Sequence, residues 1–454
     1  TDIFENGRPG SAAEIDNAVR QQEAALDREV VRIRTELDRA QAASGKSISD
    51  LTEQLNRART VRASFLDGVA AKTERRNAVR RRIDAAEVLG LAKQLPSRTA
   101  AVEYFIGEHD LYIFVLGEKG VTVRTKRIEP KVLDERVSVF LDRLASSDLR
   151  VQASGRELYE LLVEPIEKDL GGMEAMLIVP DESLWRVPFA ALVDRRGQYL
   201  VESKTIFYAP SMIAWSSITN ARKRSAPPRG SLLAIANPTL DPSAGKAAAS
   251  FYRSASLGPL PDAETEVDAL RTLYDPRQLI VLKRQQATEA RIKTALRGAT
   301  VAHFATHAIL DDANPMYSRL MLARDSHAEE DGWLESWEVA RLDLDADLVV
   351  LSACETARGR VGGGEGVVGL SWSFFLAGAS STLATQWKVV SDSTARFMIA
   401  FHRSFRGPAL NPALHKAQAV RAAQLQCIRD KRTSHPFHWA PFVLLGDPSV
   451  RAER

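Results

Sequence analysis

The sequence predicts a doubly wound α/β fold, a mostly parallel sheet flanked by helices. Three observations predict it. From residue 231 onward, short apolar runs alternate with stretches of helical periodicity, the pattern of repeated strand–helix–strand units. Runs such as Leu348–Leu351 are too short for a helix and apolar at every position, as strands covered on both faces are. Two of these runs also end in reactive side chains. The run 300–305 opens into Thr306-His307-Ala308, and Leu348–Leu351 opens into Ser352-Ala353-Cys354. Ligands of open α/β sheets bind beyond the carboxyl ends of the strands, so an imidazole and a thiol placed there read as a base and a nucleophile. Their separation, 354 − 307 = 47 residues, leaves room for a crossover between parallel neighbours.

The N-terminal stretch is different. Residues 11–42 read as a polar helix whose thin apolar stripe, Leu26, Val30, Ile33 and Leu37, falls on one face. Ser44-Gly45-Lys46 breaks it. A second helix starts near Ser49 or Asp50 and carries Ile48, Leu51, Leu55, Phe65 and Val69. Residues 1–95 are therefore expected to form a helical hairpin or coiled-coil region that packs on the rest of the chain or on a partner. Its arginine-rich end, Arg75, Arg76, Arg80, Arg81 and Arg82, has acidic residues nearby and reads as a solvated helix face in preference to a nucleic-acid patch.

Pro96-Ser97 ends the helical part. Strands are expected at 101–106 and 111–116, around the turn Gly107-Glu108-His109-Asp110, with a third at 121–128. A helix at 155–170, a buried strand at 176–179, a packed segment at 185–192 and a strand at 205–209 complete a half, 96–225, with no His and Cys pair. The basic, proline-bearing stretch 222–230 reads as a linker, with self-cleavage as the alternative. In the second half, 226–454, strands are expected at 232–236, 278–282, 300–305, 348–351, 381–386 and 440–445. Helices are expected at 263–273, 288–296 with Thr288 as cap, 336–342, 365–377, 393–405 and 412–427. A hairpin-like excursion at 317–323 and an acidic loop around Glu329-Glu330-Asp331 lie between.

Composition excludes several classes. A net charge of +3 is too small to argue for nucleic acid. The chain has two cysteines, Cys354 and Cys427, and no disulfide framework, which fits a reducing cytoplasm and a free thiol. No apolar run approaches the roughly 18 residues of a membrane span, and the start shows no signal pattern. Because it begins at Thr1, the chain reads as a processed form or a fragment. No cofactor is expected. The glycine-rich 362–366 lacks the lysine of a phosphate loop, and neither cysteine is close in sequence to His435 and His438 as a zinc ligand.

Several stretches together resemble the CHAT domain, a caspase-like cysteine peptidase family of bacteria. They are His303-Phe304-Ala305-Thr306-His307, Leu351-Ser352-Ala353-Cys354-Glu355-Thr356, Gly364-Glu365-Gly366-Val367-Val368-Gly369-Leu370, Ala377-Gly378-Ala379, Thr385-Gln386-Trp387, Trp439-Ala440-Pro441-Phe442 and Gly446-Asp447-Pro448. The resemblance runs from near residue 100 to the end. It implies a caspase-like fold with 96–225 as a degenerate caspase-like half and 226–454 as the catalytic half. It also implies regulation by a partner or by cleavage, in bacterial signalling or defence, and a protein substrate encoded nearby. The N-terminal helices are the expected seat of an activating or inhibitory partner. One departure stands out: the family has glycine after the catalytic histidine, and this chain has Ala308.

The expected chemistry is amide hydrolysis. Cys354 attacks as thiolate, His307 moves the protons, and the backbone N–H groups of Ala308 and Cys354 hold the oxyanion. Alanine keeps the N–H but is strained, by roughly 1 kcal/mol or more, if the loop demands positive φ there. His303, inside the strand, reads as a buried hydrogen-bonding residue. In related caspase-like peptidases the segment after strand 381–386 builds the first specificity pocket. That implies Asp392 as the acid receiving a basic P1 residue, Trp387 as a wall, and Glu355 and Glu365 as other acidic candidates, while Asp392 as a helix cap is the competing reading. The alternative function is a catalytically silent adaptor that binds protein partners through the same fold, and Ala308 is the feature that favours it.

Overall fold

The computed structural model describes residues 85–450 apart from 119, 225–230, 241–257, 311–314, 326–329, 353–364, 388, 390 and 410, together with parts of the segment 25–61. The chain divides into two compact units, Thr1–Asp84 with Leu240–Gly258, and Ala85–Thr239 with Pro259–Arg454. In the first unit the described residues between 25 and 61 are helical. Val30, Ile33 and Leu37 are buried, three of the four positions of the expected stripe, and so is Leu55.

The second unit is built on one large sheet. Its strands are β1 (Thr99–Ile106), β2 (Asp110–Gly117), β3 (Gly120–Arg127), β4 (Ala175–Val179), β5 (Thr205–Tyr208), β6 (Leu232–Pro238), β7 (Leu279–Arg284), β8 (Val301–Ala305), β12 (Leu348–Leu351), β13 (Ser381–Thr385) and β14 (Phe442–Gly446). Between β8 and β12 in sequence, β9 (Ala308–Ile309), β10 (Arg319–Met321) and β11 (Trp333–Glu335) form a separate three-stranded sheet. The large sheet has the order β3-β2-β1-β4-β5-β14-β13-β12-β8-β6-β7.

Direction divides this sheet into two parallel blocks. Strands β1, β4, β5 and β14 run one way. Strands β7, β6, β8, β12 and β13 run the other way. They meet where β13 pairs antiparallel with β14, so the carboxyl ends of the two blocks open on opposite edges of the sheet. Within the second block the order β7-β6-β8-β12-β13 is the 2-1-3-4-5 winding of open α/β sheets, whose ligand crevice lies at the carboxyl edge. Strands β4, β8, β12, β13 and β14 are buried at every position; β4 and β12 are correspondingly apolar throughout, while β8 carries His303 and β13 carries Ser381, Thr382 and Thr385. β3, at the edge, is exposed or half-exposed throughout.

The flanking helices are α1 (Ala85–Ala92), α2 (Pro130–Ala145), α3 (Val151–Leu162), α4 (Leu200–Ser203), α5 (Met212–Arg224), α6 (Pro261–Leu270), α7 (Glu289–Leu296), α8 (Ser336–Val339), α9 (Glu365–Ala377), α10 (Ser391–Arg406) and α11 (His415–Arg429). Three were not expected, α2, the short α4 and α5. The pattern for α2 was there: Leu133, Val137, Phe140 and Leu144 are buried at spacings of one helix face, behind a proline at the first turn. Thr288 does occupy the N-cap position of α7, but its side chain makes no capping hydrogen bond. Helix α10 begins at Ser391, two residues before the expected start. Gly446, at φ +93°, ends β14 where an added Cβ would lie 2.5 Å from the Ser380 carbonyl oxygen, a turn only glycine accommodates.

Candidate active site

Strands β8 and β12 are adjacent and parallel, with Val350 opposite His303 and Leu351 opposite Phe304. The register offset, 350 − 303 = 47, equals the sequence separation of His307 and Cys354. His307 is buried just beyond the end of β8. Its carbonyl accepts from the Met321 N–H at 2.8 Å, and the neighbouring Thr306 hydroxyl donates to the Met321 carbonyl. The small sheet thus grips the chain on either side of the imidazole. In turn, β10 continues into Leu322, whose N–H bonds to the Gly332 carbonyl at 2.7 Å. Gly332 has φ +85°, and a Cβ there would meet the Leu322 carbonyl at 3.0 Å. Cys354 and Glu355 lie outside the described residues, as do Gly362, Gly363 and Gly364 and the side chain of Glu365.

Ala308 stands in β9, opposite Leu320 of β10. Its φ is not positive, so the strain that a left-handed conformation would impose does not arise. The His307 carbonyl bonds to Met321, so the next pair, Ala308 and Leu320, is a non-hydrogen-bonded one. The Ala308 N–H therefore points away from β10.

Beneath this edge runs a buried polar chain. His303 Nε2 donates to Glu266 Oε1 at 2.6 Å, and His303 Nδ1 lies 3.0 Å from His402 Nε2. His402 Nδ1 lies 2.8 Å from the Tyr274 hydroxyl. The other carboxylate oxygen of Glu266 accepts from Ser352 Oγ at 3.4 Å. All five residues are buried. His303 is thus a buried hydrogen-bonding residue, as the sequence suggests. Burial, with the adjacent His303, pushes the His402 pKa well below the ordinary imidazole value, and burial raises that of the Tyr274 phenol. Glu266, Tyr274 and His402 were not read from sequence. A signal existed for two of them. Glu266 shares the buried face of α6 with Val267 and Leu270, and His402 interrupts the apolar series Phe397, Phe401 and Phe405 of α10.

The segment after β13 is held from two sides. Gln386 Nε2 donates to the Trp185 carbonyl at 2.8 Å, and Trp387 Nε1 donates to the Phe437 carbonyl at 3.1 Å. Asp392 is exposed in the first turn of α10 and pairs with Arg396 at 2.9 Å. His438 Nδ1 bonds with Ser393 Oγ at 2.9 Å, and His435 Nδ1 accepts from the Phe437 N–H at 3.2 Å. The second cysteine, Cys427, is buried, and burial pushes its thiol pKa up to about 11.

This arrangement, a doubly wound sheet with a histidine at its carboxyl edge, accords with the family comparison. The CHAT domain matches residues 152–447, well over half of the chain, and the chain belongs to that family. Among curated proteins it is similar to tetratricopeptide repeat protein 28 of Mus musculus, 28% identical over 335 residues, and to its counterpart in Homo sapiens, 29% identical over 336 residues. Each alignment covers 64% of this chain and 13% of the relative, so the chain spans about an eighth of their length. Among solved structures it is similar to the RgpB pro- and mature domains of Porphyromonas gingivalis. That match has 12% identity and TM-score 0.39, covering 70% of this chain and 77% of that one. The Saccharomyces cerevisiae separase–securin complex matches at 12% identity and TM-score 0.37, covering 94% of this chain and 28% of that one. Among the described residues, no helix is long and apolar enough to cross a membrane.

Proposed function

We propose that this chain is a cysteine endopeptidase acting on protein partners, with Cys354 as nucleophile and His307 as general acid and base. Cys354 Sγ attacks the scissile carbonyl as thiolate and forms the C–S bond. The oxyanion is received by the N–H groups of Ala308 and Cys354. As the tetrahedral adduct collapses, the C–N bond breaks, His307 gives its proton to the leaving amine, and a thioester remains. His307 then takes a proton from water, the hydroxide attacks the thioester, and the carboxylic acid leaves as the thiol is restored.

The observation that carries this reading is the register of β8 against β12. Two parallel neighbours offset by 47 residues favour a close approach of residues 307 and 354 just past their ends. The outward N–H of Ala308 supports the oxyanion role. The second reading is a catalytically silent adaptor; the ordinary φ of Ala308 removes its strain argument, and the similarity to tetratricopeptide repeat proteins keeps it in place. For specificity we assign Asp392 to a basic P1 side chain, with Arg396 as the cation that substrate displaces and Trp387 as the wall. Residues 96–225 serve as a non-catalytic platform. A protein partner acts through the N-terminal helices, within a cytoplasmic signalling or defence setting.

The test is cleavage of a diverse peptide library by the wild type and Cys354→Ala, with cut sites read by mass spectrometry. The expected result is cuts after basic residues that fall by at least about a thousandfold in the variant. Cuts after other residues would remove Asp392 from the pocket while leaving the peptidase. Cuts that persist in Cys354→Ala would overturn the nucleophile. No cutting, alone or with candidate partners added, would favour the adaptor.

A further inference from the structure

The two oxygens of Glu266 go to two different strands. Oε1 accepts from His303, four residues before His307 on β8. Oε2 accepts from Ser352, the first residue after β12 and two before Cys354. Glu266 is supplied by α6 and His402 by α10, so both helices lie on the face of β8 to which His303 points. The His303 ring has both nitrogens engaged, as does that of His402, so neither ring can rotate without breaking a buried hydrogen bond.

A carboxylate in this dry interior is costly unless it is paired. The arrangement is more elaborate than packing requires. A valine or leucine pair would fill the same space without the desolvation cost.

We propose that Glu266 is a positioning residue for the His307–Cys354 dyad: it locks the exits of β8 and β12 in register by gripping His303 with one oxygen and Ser352 with the other. This rests on the peptidase reading. The carboxylate accepts from both donors at once. An amide at this position fills the same volume but offers one acceptor and one donor, so the Ser352 hydroxyl must turn to accept from it and the two-oxygen grip is weakened. Small misplacements of reacting groups cost up to about a hundredfold in rate.

The experiment compares wild type, Glu266→Gln and Ser352→Ala in two assays. The first is turnover of a peptide the wild type cleaves. The second is the pH profile of Cys354 alkylation by iodoacetamide, followed by mass spectrometry, with melting temperature as a control of folding. In Glu266→Gln we expect kcat to fall about 10- to 100-fold with KM within about twofold. The alkylation midpoint should rise toward that of an ordinary thiol, near pH 8.5, slowing labelling at neutral pH by about tenfold. Ser352→Ala leaves the Glu266–His303 pair intact and should show the same changes at several-fold size. It decides the question if Glu266→Gln does not fold. A depressed wild-type midpoint that is unchanged in folded variants, with unchanged kcat, overturns the positioning role and leaves the peptidase standing. A wild-type Cys354 that labels as an ordinary thiol and cleaves nothing overturns the peptidase reading, and the positioning role with it.

Discussion

The two parallel blocks of the sheet share an architecture and differ in what they bury. In the block of β1, β4 and β5 the buried polar groups are mostly neutral and bond to main chain. The Tyr104 hydroxyl donates to the Leu162 carbonyl at 3.0 Å, and the Tyr208 hydroxyl accepts from the Phe189 N–H at 3.2 Å. In the block of β8, β12 and β13 the interior holds ionisable side chains bonded to one another. Glu266, His303 and His402 lie under the carboxyl edge. At the opposite edge Lys416 Nζ donates to the Asp347 carbonyl at 2.9 Å, to Asp347 Oδ1 at 3.2 Å and to Ser381 Oγ at 2.9 Å. Lys416 is fully buried. A sheet of this kind folds on apolar strands alone. Placing charge inside it is costly, and the block that bears the cost is the one that carries His307.

The sharpest way to break this contrast is to remove one buried cation. Lys416→Ala leaves Asp347 buried without its ammonium and should destabilise the protein by about 3–5 kcal/mol in urea denaturation. A loss under about 1 kcal/mol would mean that interior charge is no dearer here than a tyrosine hydroxyl.

A second test uses pH. Burial, together with the nearby Glu338, raises the pKa of Glu289 from 4.5 to about 8, against the opposing pull of Lys293. The folded state therefore holds a proton that the unfolded state has released. That stabilisation is complete below about 4.5 and is lost as pH rises toward about 8. The melting temperature should fall over that window in the wild type and stay flatter in Glu289→Gln. Parallel curves would show that other groups dominate.

On the neutral side, Tyr104→Phe should cost only about 0.5–1.5 kcal/mol, the net worth of one hydrogen bond. A larger value would place hidden polar stress in the quiet block too. The smallest effect is a silence. With its thiol pushed up to about 11, Cys427 should remain unlabelled by iodoacetamide at pH 7 in the folded protein, so that any rapid labelling reports Cys354. Rapid modification of Cys427 would show that α11 opens readily.

Much of this protein is determined by local pattern. The strands β4, β8, β12 and β13 stand within a residue or so of where their composition puts them, because short runs rich in apolar and β-branched residues and bounded by turn residues mark a strand. Val30, Ile33 and Leu37 announce their helix through spacing alone. His307 stands at a strand end because its run of apolar neighbours stops there. The helices α2, α4 and α5 escaped, although α2 carries a regular buried face, since its valines fit strand and helix alike. Tertiary structure alone decided the rest. Nothing in the sequence says that β13 and β14 pair antiparallel and turn the two blocks against each other, since pairing is a choice among strands far apart in the chain. Nor does it say that Glu266, His303, His402 and Tyr274 meet. Glu266, His303 and His402 are isolated polar residues among buried apolar ones and Tyr274 lies in the turn after α6, and only the packing of α6 and α10 on the same face of β8 gives each one its partner.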